Sequence, residues 1–96
     1  MQKSAILIDK KDNVATALRR LGNGEIIKVR LGRYFIPVTI AGDIPAGHKI
    51  ALRDVAPGEP IIKYGEVIGL ATKIIFKGEQ VHIHNIEGQK GRGDKP

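Results

Sequence analysis

Glycine and proline cut this chain into short pieces, and that punctuation limits the fold more than any other feature. There are twelve glycines and five prolines in 96 residues. One local unit recurs: Gly24-Glu25-Ile26-Ile27, Gly47-His48-Lys49-Ile50, Gly58-Glu59-Pro60-Ile61 and Gly78-Glu79-Gln80-Val81. Each sets a polar residue after the glycine and an aliphatic one two positions later. Two are led by proline, in Pro45-Ala46-Gly47 and Pro57-Gly58. Proline pre-sets the first central position of a turn and glycine supplies positive φ, so these are turns that feed strands. Their spacing is too irregular for a solenoid.

The apolar runs between the turns predict strands at Ser4–Asp9, Glu25–Leu31, Arg33–Ile40, Lys49–Arg53, Pro60–Lys63, Glu66–Thr72 and Gln80–Ile86. One segment reads differently. Val14, Ala17, Leu18 and Leu21 recur at helical spacing, Asp12 or Asn13 can cap, and Gly22-Asn23-Gly24 follows. This predicts a short helix over 12–21. The expected architecture is a mostly β single domain over residues 1–86, followed by a glycine-rich flexible tail over 87–96 with no aliphatic residue.

Composition narrows the chemistry. With four Phe and Tyr and no Trp, the core must come from Ile, Val, Leu and Ala. The absence of cysteine excludes disulfides, thiolate metal sites and a cysteine nucleophile, and fits a reducing compartment. No apolar run reaches the ~20 residues of a membrane span, and the N-terminus lacks a signal-peptide pattern. The expected location is cytoplasmic, with no membrane partner. The net charge of +6 admits an anionic ligand. The basic residues are dispersed, however, and the aromatics form no stacking platform, so no nucleic-acid partner is expected. A basic nucleic-acid-binding barrel is the weakest reading.

Three histidines stand out. In a strand, His82 and His84 would share one face, about 7 Å apart, where two imidazoles can bracket a divalent metal or an anion. Spacing alone balances this against two solvent-facing rings without a ligand. His48 follows a Pro-Ala-Gly turn, where a structural hydrogen-bonding role is commoner. Lys49 and Arg53 can bind carboxylate, though surface charge is the commoner case. Arg92 in Gly91-Arg92-Gly93-Asp94 can act as a flexible anion clamp. No nucleophile elbow, P-loop or dinucleotide fingerprint is present, so this chain is not expected to carry a complete active site.

Three segments together carry a resemblance: Ile44-Pro45-Ala46-Gly47-His48-Lys49-Ile50-Ala51-Leu52-Arg53, Gly58 through Gly69 with Lys63-Tyr64-Gly65-Glu66 at its centre, and Gly78-Glu79-Gln80-Val81-His82-Ile83-His84-Asn85. In this order they resemble the SAF-type domain of the altronate/galactarate dehydratase family. Asp12–Leu21 and the Lys90-Gly91-Arg92-Gly93-Asp94 ending are similar to that family too, the ending in weakened form. The resemblance implies a β-clip fold and a hydro-lyase that converts a sugar acid to a 2-keto-3-deoxy acid. It implies an Fe2+ or Mn2+ site where the small domain meets a large dehydratase part. In that reading His82 and His84 are metal ligands or acid/base residues, and His48 is a further catalytic candidate. Lys63, Arg53 and Arg92 contact the carboxylate. The glycine tail at the chain end suggests a separate small subunit, inactive without its large partner, and a homo-oligomer is left open. The alternatives are the small subunit of a sulfolactate sulfo-lyase, which shares the two-part design, and a non-catalytic SAF-type binding module.

Overall fold

The computed structural model describes residues 3–88. Nine strands follow one another along the chain: β1 (Ala5–Ile6), β2 (Val14–Ala17), β3 (Ile26–Leu31), β4 (Tyr34–Thr39), β5 (Lys49–Ala51), β6 (Pro60–Lys63), β7 (Glu66–Ala71), β8 (Gln80–Val81) and β9 (Ile86–Gly88). They form a four-stranded sheet in the order β1-β2-β5-β8, the two-stranded hairpin β3-β4, and the three-stranded sheet β6-β7-β9. All strand pairings are antiparallel. Among the described residues there is no helix long and apolar enough to cross a membrane.

The four-stranded sheet is buried on both faces, because side chains alternate across a strand. Ala15, Ala17 and Ile50 pack with Val29, Val38 and Ile27 of the β3-β4 hairpin. Val14, Ala51 and Val81 pack on the other side with Ile61, Ala71 and Ile75. The strand-rich, single-domain reading is what folds, with an aliphatic core.

The helix expected over 12–21 does not form. Val14–Ala17 is a strand between β1 and β5, paired Val14↔Ala51 and Thr16↔Lys49. Leu18, which should complete the helical stripe, is 49% exposed. Burial on two faces overrides the local period, since residues 14, 15 and 17 are all needed inside. The capping residues still accept backbone N–H groups, but from far along the chain. Asp12 accepts from Tyr64 at 3.1 Å and Gly65 at 2.8 Å. Asn13 accepts from Ile62 at 2.8 Å and donates to the Pro60 carbonyl at 2.9 Å.

The recurring glycine unit is the organising device. Gly24, Gly47, Gly58 and Gly78 have φ of 88°, 86°, 84° and 94°, as the third residue of a type II turn requires. In all four turns the glycine N–H donates to the carbonyl of a buried residue, which is Ile40, Ala17, Ala71 or Ala51 respectively. The N–H of that residue donates back to the carbonyl of the next turn residue, Glu25, His48, Glu59 or Glu79. The residues leading the turns bridge in pairs, Leu21↔Ile44 and Val55↔Ile75, and all four are fully buried. The last strand takes in Glu87 and Gly88. The rest of the expected glycine-rich tail, with Arg92 and its anion-clamp motif, lies outside the described residues.

Candidate active-site surface

Three of the four turns share a cap that the fourth lacks. In three of them a glutamate reaches back to cap the first N–H of its own turn: Glu25 from Gly22 at 2.7 Å, Glu59 from Ala56 at 2.7 Å and Glu79 from Phe76 at 2.8 Å. In the fourth, the first residue is Pro45, which has no N–H to cap, and the residue in the glutamate position is His48. Its side chain is free for other work.

The His48 ring lies against His82, with centroids 4.6 Å apart and planes tilted by 46°. The β5-β8 ladder explains the meeting. Lys49 faces Val81 and Ile50 faces Gln80, so His48 and His82 come next, one at the end of each strand. Gln80 holds the first ring, its Nε2 lying 2.6 Å from His48 Nδ1. With the amide donating, the proton of a neutral His48 sits on Nε2.

His82 and His84 are not on a strand. β8 ends at Val81, and residues 82–85 form a turn in which Asn85 N–H donates to the His82 carbonyl at 3.0 Å. Asn85, only 3% exposed, ties it down: its Oδ1 accepts from His82 N–H at 2.9 Å and its Nδ2 donates to the Gln80 carbonyl at 2.8 Å. The alternation that would have put both imidazoles on one face is therefore absent. His82 meets His48 instead. His84 lines a separate shallow cavity of about 320 Å³ with Lys73, Asp43 and Phe76. Gln80 and Asn85, which the strand reading passed over, organise the site. Asparagine is poorly suited to a strand, and Asn85 after His82-Ile83-His84 was the signal for a turn.

Lys49 adjoins the histidines, and Lys63 is close enough to Lys49 for its charge to be felt there. Lys49 is half-buried, on the face of β5 that packs toward β6. Its ammonium is held below the ordinary lysine range, first by burial and then by the charge of Lys63. His82 is pushed below the ordinary imidazole range by desolvation, then by His48, Lys49 and His84. Lys63 sits with its Nζ 5.0 Å from the Tyr64 ring centroid, at the tip of the β6-β7 hairpin. Arg53 is not brought to this surface. It lies beyond the other end of β5, bonded to the Asp54 carbonyl at 3.0 Å and 3.8 Å from Glu59.

A depressed His82 has a testable sign. The folded state binds the proton less readily than the unfolded chain, so His82 stabilises the fold above the unfolded imidazole pKa of about 6.5. That contribution is lost as pH falls through the lower folded value. In an NMR titration His82 is expected to have a midpoint below the ordinary imidazole value of 6.5. A midpoint above it would remove the argument that His82 is neutral at pH 7.

Among the described residues no group of three or more His, Asp and Glu side chains converges as a metal site. Two tilted imidazoles are an incomplete donor set for a divalent ion, so these residues do not hold a metal by themselves.

The fold is a strand-rich module presenting a histidine pair beside Lys49. Residues 3–89 match the family model described as the altronate/galactarate dehydratase SAF domain, and the chain belongs to that family. It is 45% identical over 83 residues to the altronate dehydratase of Bacillus subtilis, covering 86% of this chain and 16% of that protein. The altronate dehydratase of Escherichia coli is 44% identical over 80 residues, covering 83% of this chain and 15% of the relative. The (2R)-sulfolactate sulfo-lyase subunit alpha of Chromohalobacter salexigens is 47% identical over 47 residues, 49% of this chain and 50% of that subunit. The chain thus spans about one sixth of the length of the altronate dehydratases it matches.

Proposed function

We propose that this domain is the small part of a two-part hydro-lyase that dehydrates a sugar acid of the altronate or galactarate type to a 2-keto-3-deoxy acid. The observation that carries the reading is His48. In a domain of a dehydratase family, one turn of four gives up its structural glutamate, and the histidine in its place meets His82.

The chemistry asks for a base and an acid. The base takes the proton from the carbon next to the carboxylate, giving an enediolate. The C–O bond at the next carbon then breaks, and its electron pair leaves with the hydroxyl as water once an acid has protonated it. The resulting enol becomes the 2-keto-3-deoxy acid. A neutral His82 suits the first task, and His48, held beside it by Gln80, is assigned the second. His84, on the neighbouring cavity, is the outer histidine of the same wall. Lys63, whose charge acts on the neighbouring Lys49, is the proposed carboxylate contact. Arg53 faces elsewhere, and this reading gives it no role at the wall.

The Fe2+ or Mn2+ ion that the family resemblance implies would supply a Lewis acid. Since the described residues do not make a metal site, we assign it to the larger part. The absence of cysteine fits a reducing compartment, and we place the reaction in the cytoplasm.

Co-expressing the chain with the large part of a family member, then supplying altronate and galactarate, tests the reading. A 2-keto-3-deoxy product is expected only when both parts are present. No product from any sugar acid would sink the hydro-lyase reading. A second outcome has its own motive, because the Paracoccus pantotrophus (2R)-sulfolactate sulfo-lyase subunit alpha is covered over 79% of its length. Release of sulfite from sulfolactate, with the sugar acids untouched, would assign the chain to a sulfo-lyase.

A further inference from the structure

Tyr64 is the one non-glycine residue with positive φ, 58°, among those described. It is followed by Gly65 at φ 74°, so Lys63-Tyr64-Gly65-Glu66 is a two-residue hairpin turn with both central residues left-handed. Such turns favour Asn, Asp or Gly at the first central position. Tyrosine there is strained relative to glycine, because its Cβ crowds the neighbouring carbonyl. Little burial offsets that strain, since Tyr64 is 60% exposed.

The turn is nevertheless held with unusual care. Its two N–H groups both donate to the Asp12 carboxylate, at 3.1 and 2.8 Å, and Asp12 is only 8% exposed. The same carboxylate accepts from Asp9 N–H at 3.1 Å. Gly65 is pressed against Asp9, whose Oδ2 would stand 3.1 Å from any added Cβ. A strained, exposed aromatic on a rigidly supported tip points to function rather than folding.

The surroundings indicate what it would bind. The Lys63 ammonium rests over the Tyr64 ring. Lys49 reaches toward the same side from the four-stranded sheet, because it shares a face with Val14, Ala51 and Val81, which pack against Ile61 of β6. Among the described residues neither lysine is in an ion pair with a carboxylate. Lys63 is close enough for its charge to act on Lys49, and two such ammonium groups without an anion, beside an exposed tyrosine, make a corner for a small anion with a C–H-rich, hydroxylated chain.

We propose that Lys49, Lys63 and Tyr64 form the subsite that binds the carboxylate end of a polyhydroxy acid, with the Tyr64 ring against its carbon chain and Asp12 as the positioning residue. This deepens the proposed function and rests on its substrate class. It adds Lys49, Tyr64 and Asp12 to the residues already assigned.

Binding can be read on the chain directly. Isotope-labelled chain titrated with altronate in the millimolar range should show shifts of the Lys63, Tyr64 and Gly65 amides. Altritol, the polyol without the carboxylate, should leave them in place, and acetate should move them more weakly. Tyr64→Gly should weaken altronate binding about tenfold, equivalent to roughly 1.4 kcal/mol, without lowering the melting temperature. Lys49→Met should weaken it similarly. Unmoved amides, equal responses to altronate and altritol, or a Tyr64→Gly chain that binds like the original would overturn the subsite. A co-expressed enzyme that fails to dehydrate sugar acids would overturn the reaction instead, since this binding is measured without turnover.

Discussion

Replacing His82 with alanine in the two-part enzyme is expected to lower kcat by about 10²–10⁴, the usual range for losing a positioned general acid or base. KM should change far less. His48→Ala should fall in the same range, and the double variant should be little worse than either single one, because groups that act as a unit are not additive. His84→Ala should cost less, since His84 faces the separate cavity with Lys73. The rate should also fall as pH drops through the depressed His82 pKa, where the base becomes protonated. A His82→Ala enzyme with full rate would remove the histidine pair from the chemistry. So would a His84→Ala loss that exceeded both others.

The largest effect on stability is expected at Gly78. Its φ is 94°, and a Cβ built there would run into the Thr39 carbonyl oxygen. That carbonyl belongs to backbone and cannot swing aside as a side chain could. The close approach is tied in place, because Ala41 N–H donates to the Gly78 carbonyl at 3.0 Å and Ala41 bridges Glu79. Gly78→Ala is expected to cost about 3–5 kcal/mol, the upper end for single substitutions. At the low end of the usual ~5–15 kcal/mol, that is most of the stability such a domain has. Gly24→Ala is the control. It has the same left-handed φ, 88°, but nothing within 4 Å of the added carbon, so only the conformational cost of about 1–2 kcal/mol applies. Thermal unfolding of the two variants should separate them by more than 5 °C, given about 4–8 °C per kcal/mol at this chain length. Equal losses would mean that φ alone sets the cost and that the contact with Thr39 relaxes freely.

The two predictions concern the same repeated turn seen from two sides. Gly78 belongs to a turn that keeps its glutamate and packs tightly. His48 belongs to the turn that has lost its glutamate and gained a ring contact. Evenly built turns make a stable frame, and the exception among them is where the chemistry is proposed to sit. That division follows the general pattern of function grafted onto a scaffold that other residues stabilise.

Much of this was already written in the sequence. The four glycine units, the aliphatic core, the strands between turns and the family's segments were legible there, because turn chemistry and period-two alternation act over a few residues. Even the special status of His48 was present, as a histidine where the other units carry glutamate and a proline where they carry an N–H. What the sequence could not decide was set by contacts between distant residues. Val14–Ala17 has a helical period of its own and becomes a strand because β1, β5 and two packed layers surround it. Asp12 and Asn13 look like caps for the next few residues, yet they bind N–H groups some fifty residues on. His82 was paired by spacing with His84, two residues away. Asn85 bends the chain into a turn, and the β5-β8 ladder gives His82 a different partner in His48. Local chemistry chose the turns and the strands. Which side chains meet was decided by sheet register, a property of pairs of segments that neither segment carries alone.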